Sequence, residues 1–134
     1  MGDSSDIKLL VLTPERQVLE ETADAVVIPA HDGELGILRD RAALVCELGT
    51  GQLRYTRGGT TRRLFVDRGF AQVANNHVTV LTGEALRAEE VTAEVVAAAS
   101  RAVEQCQGLA PQTQIARQQA QRRLSVLRSI HGTT

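Results

Sequence analysis

Arg62-Arg63-Leu64-Phe65-Val66, Ala71-Gln72-Val73 and Val78-Thr79-Val80-Leu81-Thr82 are three short apolar runs, separated by Asp67 and Gly69 and then by Asn75-Asn76. Runs of this length, rich in valine and leucine and bounded by turn-forming residues, read as β-strands. The same rhythm continues toward the N-terminus through Ile7 to Leu12, Val18 to Glu20, Ala25 to Ile28, Gly36 to Leu38, Ala43 to Leu48 and Gln52 to Tyr55. Nine such runs in about eighty residues fit an all-β sandwich or barrel better than any fold with crossover helices. The turns have readable chemistry: Thr13-Pro14-Glu15-Arg16 presents a pre-set proline, Gly58-Gly59 suits positive φ, and Asn75-Asn76 tolerates the left-handed region.

Past Arg87 the pattern changes. Ala88 to Cys106 contains no glycine or proline and reads as a helix, with Val91, Val95, Ala98 and Ala102 along one face. Gly108 and Pro111 punctuate a loop, and Thr113 to Ile130 forms a second helical run with Ala116, Ala120, Leu124, Leu127 and Ile130 in line. Two helices joined so tightly form an antiparallel hairpin. Its expected seam is rich in alanine (Ala98, Ala99, Ala102, Ala116, Ala120), which removes little apolar area from water, so the hairpin should be weakly held and its state set by what it docks against. Charge is divided between the helices. Glu89, Glu90, Glu94 and Glu104 outweigh Arg101, whereas Arg117, Arg122, Arg123 and Arg128 stand with no acid from Gln105 to Thr134. Either the helices pair across exposed surface, or the basic helix leaves its neighbour for a more acidic surface.

Composition excludes several classes of function. The 134 residues suffice for one compact domain plus an appendage, and 15 basic against 16 acidic residues give a net charge of −1. That balance lacks the positive field that holds nucleic acid, and Tyr55, Phe65 and Phe70 are too few for base stacking. No apolar run is long enough to span a membrane, and Met1-Gly2-Asp3-Ser4-Ser5-Asp6 is acidic, unlike a signal peptide. Asp6 also occupies the position where a myristoylation motif carries serine or threonine. A soluble intracellular chain is expected. Cys46 and Cys106 have no metal-ligand partner nearby and read as free thiols.

The sequence assembles no catalytic constellation. His31, His77 and His131 lie in different segments, no Gly-Lys-Ser/Thr follows any glycine pair, and no serine sits in a nucleophile elbow. His31-Asp32-Gly33 reads as an exposed turn, with acid–base work by His31 and Asp32 as the other reading. A non-catalytic protein without metal or cofactor is expected.

Taken in order, Val11-Leu12-Thr13-Pro14-Glu15-Arg16, Val26-Val27-Ile28-Pro29, Gly33-Glu34-Leu35-Gly36-Ile37-Leu38, Leu64-Phe65-Val66-Asp67-Arg68-Gly69-Phe70-Ala71-Gln72-Val73, Val78-Thr79-Val80-Leu81 and Glu84-Ala85-Leu86-Arg87-Ala88-Glu89 resemble the epsilon subunits of F-type ATP synthases. The resemblance implies an α+β chain: a ten-stranded β-sandwich over residues 1–88 that binds the gamma subunit and the c-ring, then a regulatory two-helix hairpin over 89–134. It implies a non-catalytic rotor component, peripheral at the cytoplasmic face of the bacterial inner membrane, coupling ion-driven rotation to the catalytic head. By position, His31, Glu34, Arg39 and Arg41 would face the c-ring and gamma. Leu38-Arg39-Asp40-Arg41-Ala42-Ala43 stands where the family often reads Leu-Pro-Gly-His-Ala-Pro, so ring contact here would rely more on charge than on a proline-stiffened turn.

In this family the hairpin permits turnover when compact and inhibits ATP hydrolysis when extended. Arg117, Arg122, Arg123 and Arg128 would then meet acidic surface on the catalytic beta subunits. Family members that bind ATP carry Ile/Leu-Asp-x-x-Arg-Ala at the start of the first helix. Val91-Thr92-Ala93-Glu94-Val95-Val96 lacks both the aspartate and the arginine, so feeble ATP binding at most is expected, with Thr92 an ordinary helical residue or an N-cap. The reading outside this family is a free-standing β-sandwich interaction module with a helical docking tail.

Overall fold

The computed structural model describes residues 6–132; the Met1 to Ser5 stretch read above for signal and lipid motifs lies outside the described residues. Among the described residues, eight strands are followed by a short 3-10 turn and two helices: β1 (Ile7–Leu12), β2 (Gln17–Ala23), β3 (Ala25–Ala30), β4 (Gly33–Ile37), β5 (Leu44–Arg57), β6 (Thr60–Ala74), β7 (His77–Thr82), β8 (Ala85–Arg87), the turn Ala88–Glu90, α1 (Ala93–Gln105) and α2 (Pro111–His131). Neighbouring strands run β2-β1-β7-β6-β5-β3-β4, with β8 paired to β6. Every pairing is antiparallel except that of β1 with β7.

The ladder closes into a sandwich because β5 and β6 are long and bent. They pair in one unbroken register from Leu44↔Val73 to Arg57↔Thr60. Four of the nine runs in the sequence are therefore halves of these two strands, and β8 brings the continuous strands to eight rather than ten. At the bend, Arg68 and Gly69 adopt φ of 56° and 125°. A Cβ on Gly69 would lie 2.0 Å from the Leu81 carbonyl oxygen, so only glycine lets β7 approach there. The bend also divides the strand that follows, since β7 pairs with β6 from Gly69 onward and β8 pairs with Leu64 to Val66. The buried Thr82 hydroxyl joins the two sides, near the Asp67 and Glu84 carbonyls at 3.1 Å each and accepting from the Asp67 N–H at 3.1 Å.

Side-chain alternation along β6 builds two cores. Leu64 and Val66 join Ile7, Leu9, Val11, Val26, Ile28, Leu53 and Val80 inside the sandwich. Phe65 points the other way into a smaller core with Val91, Ala99, Leu124, Val126, Leu127 and Ile130. The hairpin therefore packs on the outer face of β5 and β6. Its docked half is α2 beyond Arg122, held by leucine, isoleucine and phenylalanine rather than alanine. The expected seam needs correction: Ala98, Ala102 and Ala116 are exposed, and the inward face of α1 is Val95, Ala99 and Val103. Alanine carries too little hydrophobic bias to set helical phase, and the phase instead follows where the helix begins.

That beginning is late. The expected helix from Ala88 is interrupted at Val91–Thr92, where the chain is non-helical, and Thr92 caps α1 by accepting from the Val95 N–H at 3.3 Å. The preceding turn is fastened to the sandwich. Arg16 donates to both Glu90 carboxylate oxygens at 2.9 and 3.0 Å and to the Ala85 carbonyl at 3.3 Å, while the Arg87 N–H donates to Glu90 at 2.9 Å. Arg16 above all, with the Arg87 amide, holds the Glu90 carboxyl down at about 2.

Two outcomes follow from this architecture. Gly69→Ala is expected to cost about 3 kcal/mol or more of unfolding free energy in urea titration. Gly36→Ala, where an added Cβ meets nothing within 4 Å, should change it by less than about 0.5 kcal/mol. A carboxylate whose folded pKa is depressed contributes stability above its unfolded pKa and loses it as pH falls through the folded value. The stability difference between the native chain and Glu90→Gln should thus be full at neutral pH, shrink below 4.5 and vanish near 2.

Candidate functional site

The β3–β4 hairpin carries the first group of candidate residues. β4 runs back along β3 from Gly33↔Ala30 to Val26↔Ile37, so His31 and Asp32 form the tip and Leu38 leaves at the opposite end. The tip rests on β5 because Gly51 has no side chain; a Cβ there would come within 2.7 Å of the Pro29 ring. The His31 N–H donates to the Glu47 carbonyl at 2.8 Å, leaving the imidazole exposed. Glu34 is exposed on β4 and accepts two bonds from Arg54, at 2.6 and 3.2 Å, which hold its carboxyl below the usual carboxylate range. An acid so paired is a fixed, ionised group at neutral pH.

The loop after β4 crosses back toward β5. Asp40 takes a left-handed φ of 65°, and its N–H donates to the Asn76 side-chain oxygen at 2.6 Å while Asn76 donates back to the Asp40 carboxylate at 3.3 Å. This reciprocal pair stiffens a turn that lacks prolines. On β5, burial pushes the Cys46 thiol upward, Asp32 adds to the rise and Arg41 opposes it. Arg39 stays apart, lining an open cavity with Asp6, Asp24, Leu38 and Asp40. Of the four residues, the structure ties the His31 backbone to β5, seats Glu34 on Arg54, and sets Arg39 beside Asp6, Asp24 and Asp40 rather than at the tip.

The four arginines of α2 also divide. Arg117 and Arg128 are exposed. Arg122 donates from Nε to the Thr50 carbonyl at 3.1 Å. Arg123 donates to both oxygens of Glu84 at 3.0 Å each, with its guanidinium carbon 5.5 Å from the centre of the Phe65 ring. Two of the four are therefore engaged by the sandwich in this conformation.

One surface was not anticipated from the sequence. Phe70 and Leu81 are cross-strand partners and Val45 lies diagonally beside Phe70; all three are more than half exposed. Leu12 of β1 pairs with Leu81 and, with Pro14, lines a shallow apolar groove next to it. A contiguous stripe crossing four strands is more than scattered surface apolarity and marks a docking face. Its signal in the sequence was the consecutive apolar pairs Phe70-Ala71 and Val80-Leu81, which put apolar groups on both faces of the sheet.

Residues 6–88 match the family model described as ATP synthase, Delta/Epsilon chain, beta-sandwich domain. The ATP synthase epsilon chain of Symbiobacterium thermophilum is 44% identical over 88 residues, covering 65% of this chain and 63% of that one. That of Rhodopirellula baltica is 49% identical over 80 residues (60% and 62% covered), and that of Desulforamulus reducens 42% over 98 residues (73% and 74%). The matched stretch thus spans less than two thirds of the first two relatives. Among solved structures, a chain of the Euglena gracilis mitochondrial ATP synthase (OSCP/F1/c-ring) superposes with a TM-score of 0.72 and 26% identity, covering 96% of this chain and 81% of that one. A chain of the Tetrahymena thermophila mitochondrial ATP synthase central stalk and c-ring shares the fold, with a TM-score of 0.68 at 15% identity and 96% of each chain covered. With its sandwich, its bent central strands and its helical hairpin in place, this chain belongs to the ATP synthase delta/epsilon family.

Proposed function

We propose that the chain is the non-catalytic epsilon subunit of an F-type ATP synthase central stalk, coupling ion-driven rotation to the catalytic head and restraining ATP hydrolysis through its hairpin. The observation that carries this reading is the two-sided sandwich. One outer face presents the uncovered stripe of Val45, Phe70 and Leu81, and the other holds an arginine-bearing helical arm. A rigid double layer with apolar docking surface suits mechanical coupling, which needs stiffness and no bond chemistry. The stripe is the face for the gamma subunit. The β3–β4 tip with His31 and Glu34, together with Arg39 and Arg41, faces gamma and the polar loops of the c-ring, with the Glu34 carboxylate held in orientation by Arg54.

The subunit sits peripherally at the cytoplasmic face of the bacterial inner membrane; no helix among the described residues is long and apolar enough to cross one. When the hairpin extends, Arg117, Arg122, Arg123 and Arg128 meet acidic surface on the catalytic beta subunits. Because Arg122 and Arg123 also bind the sandwich, the exposed pair isolates the inhibitory contact. In the complete synthase reconstituted into vesicles, Arg117→Ala with Arg128→Ala should raise ATP hydrolysis several-fold while proton pumping per ATP is retained. Hydrolysis unchanged in that variant and in the four-arginine variant would refute the inhibitory role. Phe70→Asp should weaken assembly onto a gamma-containing complex about tenfold or more, as loss of a central apolar contact does.

A further inference from the structure

The compact hairpin is held on the sandwich by an apolar core, in which Phe65 packs with Val91, Leu124, Leu127 and Ile130, and by polar contacts at separate places. At its root, Glu90 accepts from Arg16 twice and from the Arg87 amide, so the turn Ala88–Glu90 is bound to the β1–β2 turn and to the end of β8. Val91 and Thr92 follow with non-helical backbone, and α1 starts only at Ala93. Along α2, Arg123 bonds Glu84 beside the Phe65 ring and Arg122 bonds the Thr50 carbonyl, while the C-terminal end returns to the root, where the His131 ring lies 3.0 Å from the Val91 carbonyl. Glu84 is placed for this role by the bend, since its own carbonyl accepts from Asp67 and lies against the Thr82 hydroxyl. The Arg123 and Glu84 side chains retain 29% and 40% of their exposure, so salt and competing carboxylates can reach them.

We propose that Glu84 is the catch that sets the resting position of the hairpin. Released from it, the arm pivots at Val91–Thr92, while residues 88–90 stay with the sandwich on the Arg16–Glu90 clamp. The inference rests on the reading that the hairpin moves, and it deepens that reading in two respects. The moving part begins after the clamp rather than at residue 89. Arg123 serves either Glu84 or a carboxylate on a partner surface, never both, so an acidic partner draws the arm out by competing for one guanidinium.

The test is amide hydrogen exchange, followed by mass spectrometry, on the isolated full chain at low and high salt. Glu84→Gln should speed exchange across α1 and α2 about threefold, as loss of a part-exposed ion pair does, and high salt should reproduce much of the effect in the native chain. Strand amides and the Arg87 and Val91 amides, which are bonded within the clamp, should keep their protection. The exchanged pair Glu84→Arg with Arg123→Glu should restore slow exchange, and Arg16→Ala should speed exchange of the Arg87 and Val91 amides while α2 stays protected. Unchanged α2 exchange in Glu84→Gln, no rescue by the exchanged pair, or the Arg87 and Val91 amides opening in step with α2 would overturn the proposal. Because no partner is present, these results stand apart from the hydrolysis measurements that test inhibition.

Discussion

The period-two alternation of β6 at Leu64-Phe65-Val66 is the constraint on which the structure depends. Two of these side chains close the sandwich and the third founds the core under the hairpin, so one strand is the shared wall of both parts. A slip of one residue would send Phe65 inward and Leu64 outward, undoing both cores at once. Register is guarded at the bend, where Gly69 admits the Leu81 carbonyl and where Thr50 donates its hydroxyl to the Asp67 carboxylate at 2.7 Å. The same bend separates β7 from β8 and leaves Glu84 facing α2. Local backbone geometry thus reaches from the sheet to the position of the arm.

Polar contacts distribute the arginines among distinct tasks. Arg16 clamps the root of the hairpin, Arg54 fixes Glu34 at the β3–β4 tip, and Arg123 holds the arm. Each is a two-point carboxylate contact, which gives orientation as well as attraction and which the single lysine, Lys8, could not supply. The exposed pairs are sensitive to ionic surroundings while the apolar cores are not.

Much of this was legible in the residues. Asn75-Asn76 and Gly58-Gly59 do take positive φ at their turns, whereas Thr92, which reads more readily as an ordinary helical residue, caps the first helix because that helix starts late. Strand number was less legible because Gly49-Thr50-Gly51 and Asp67-Arg68-Gly69 look like loop punctuation. Only the pairing of Thr50 with Asp67 shows them to be one bend shared by two continuous strands. The phase of α1 was hidden by alanines that fit either face, and its start by the long-range Arg16–Glu90 pair, which no local pattern encodes. Among the candidate site residues, His31 and Arg117 are exposed. The engagement of Arg122 and Arg123 by the sandwich depends on contacts distant in sequence, as does the apolar stripe of Val45, Phe70 and Leu81.

The central claim is that this chain is a stalk component and not an independent module. Native mass spectrometry of the chain mixed with the gamma subunit of the same synthase tests it most directly. The account predicts a single complex of one copy of each; two polypeptides that remain separate at concentrations where the assembled synthase is intact would contradict it.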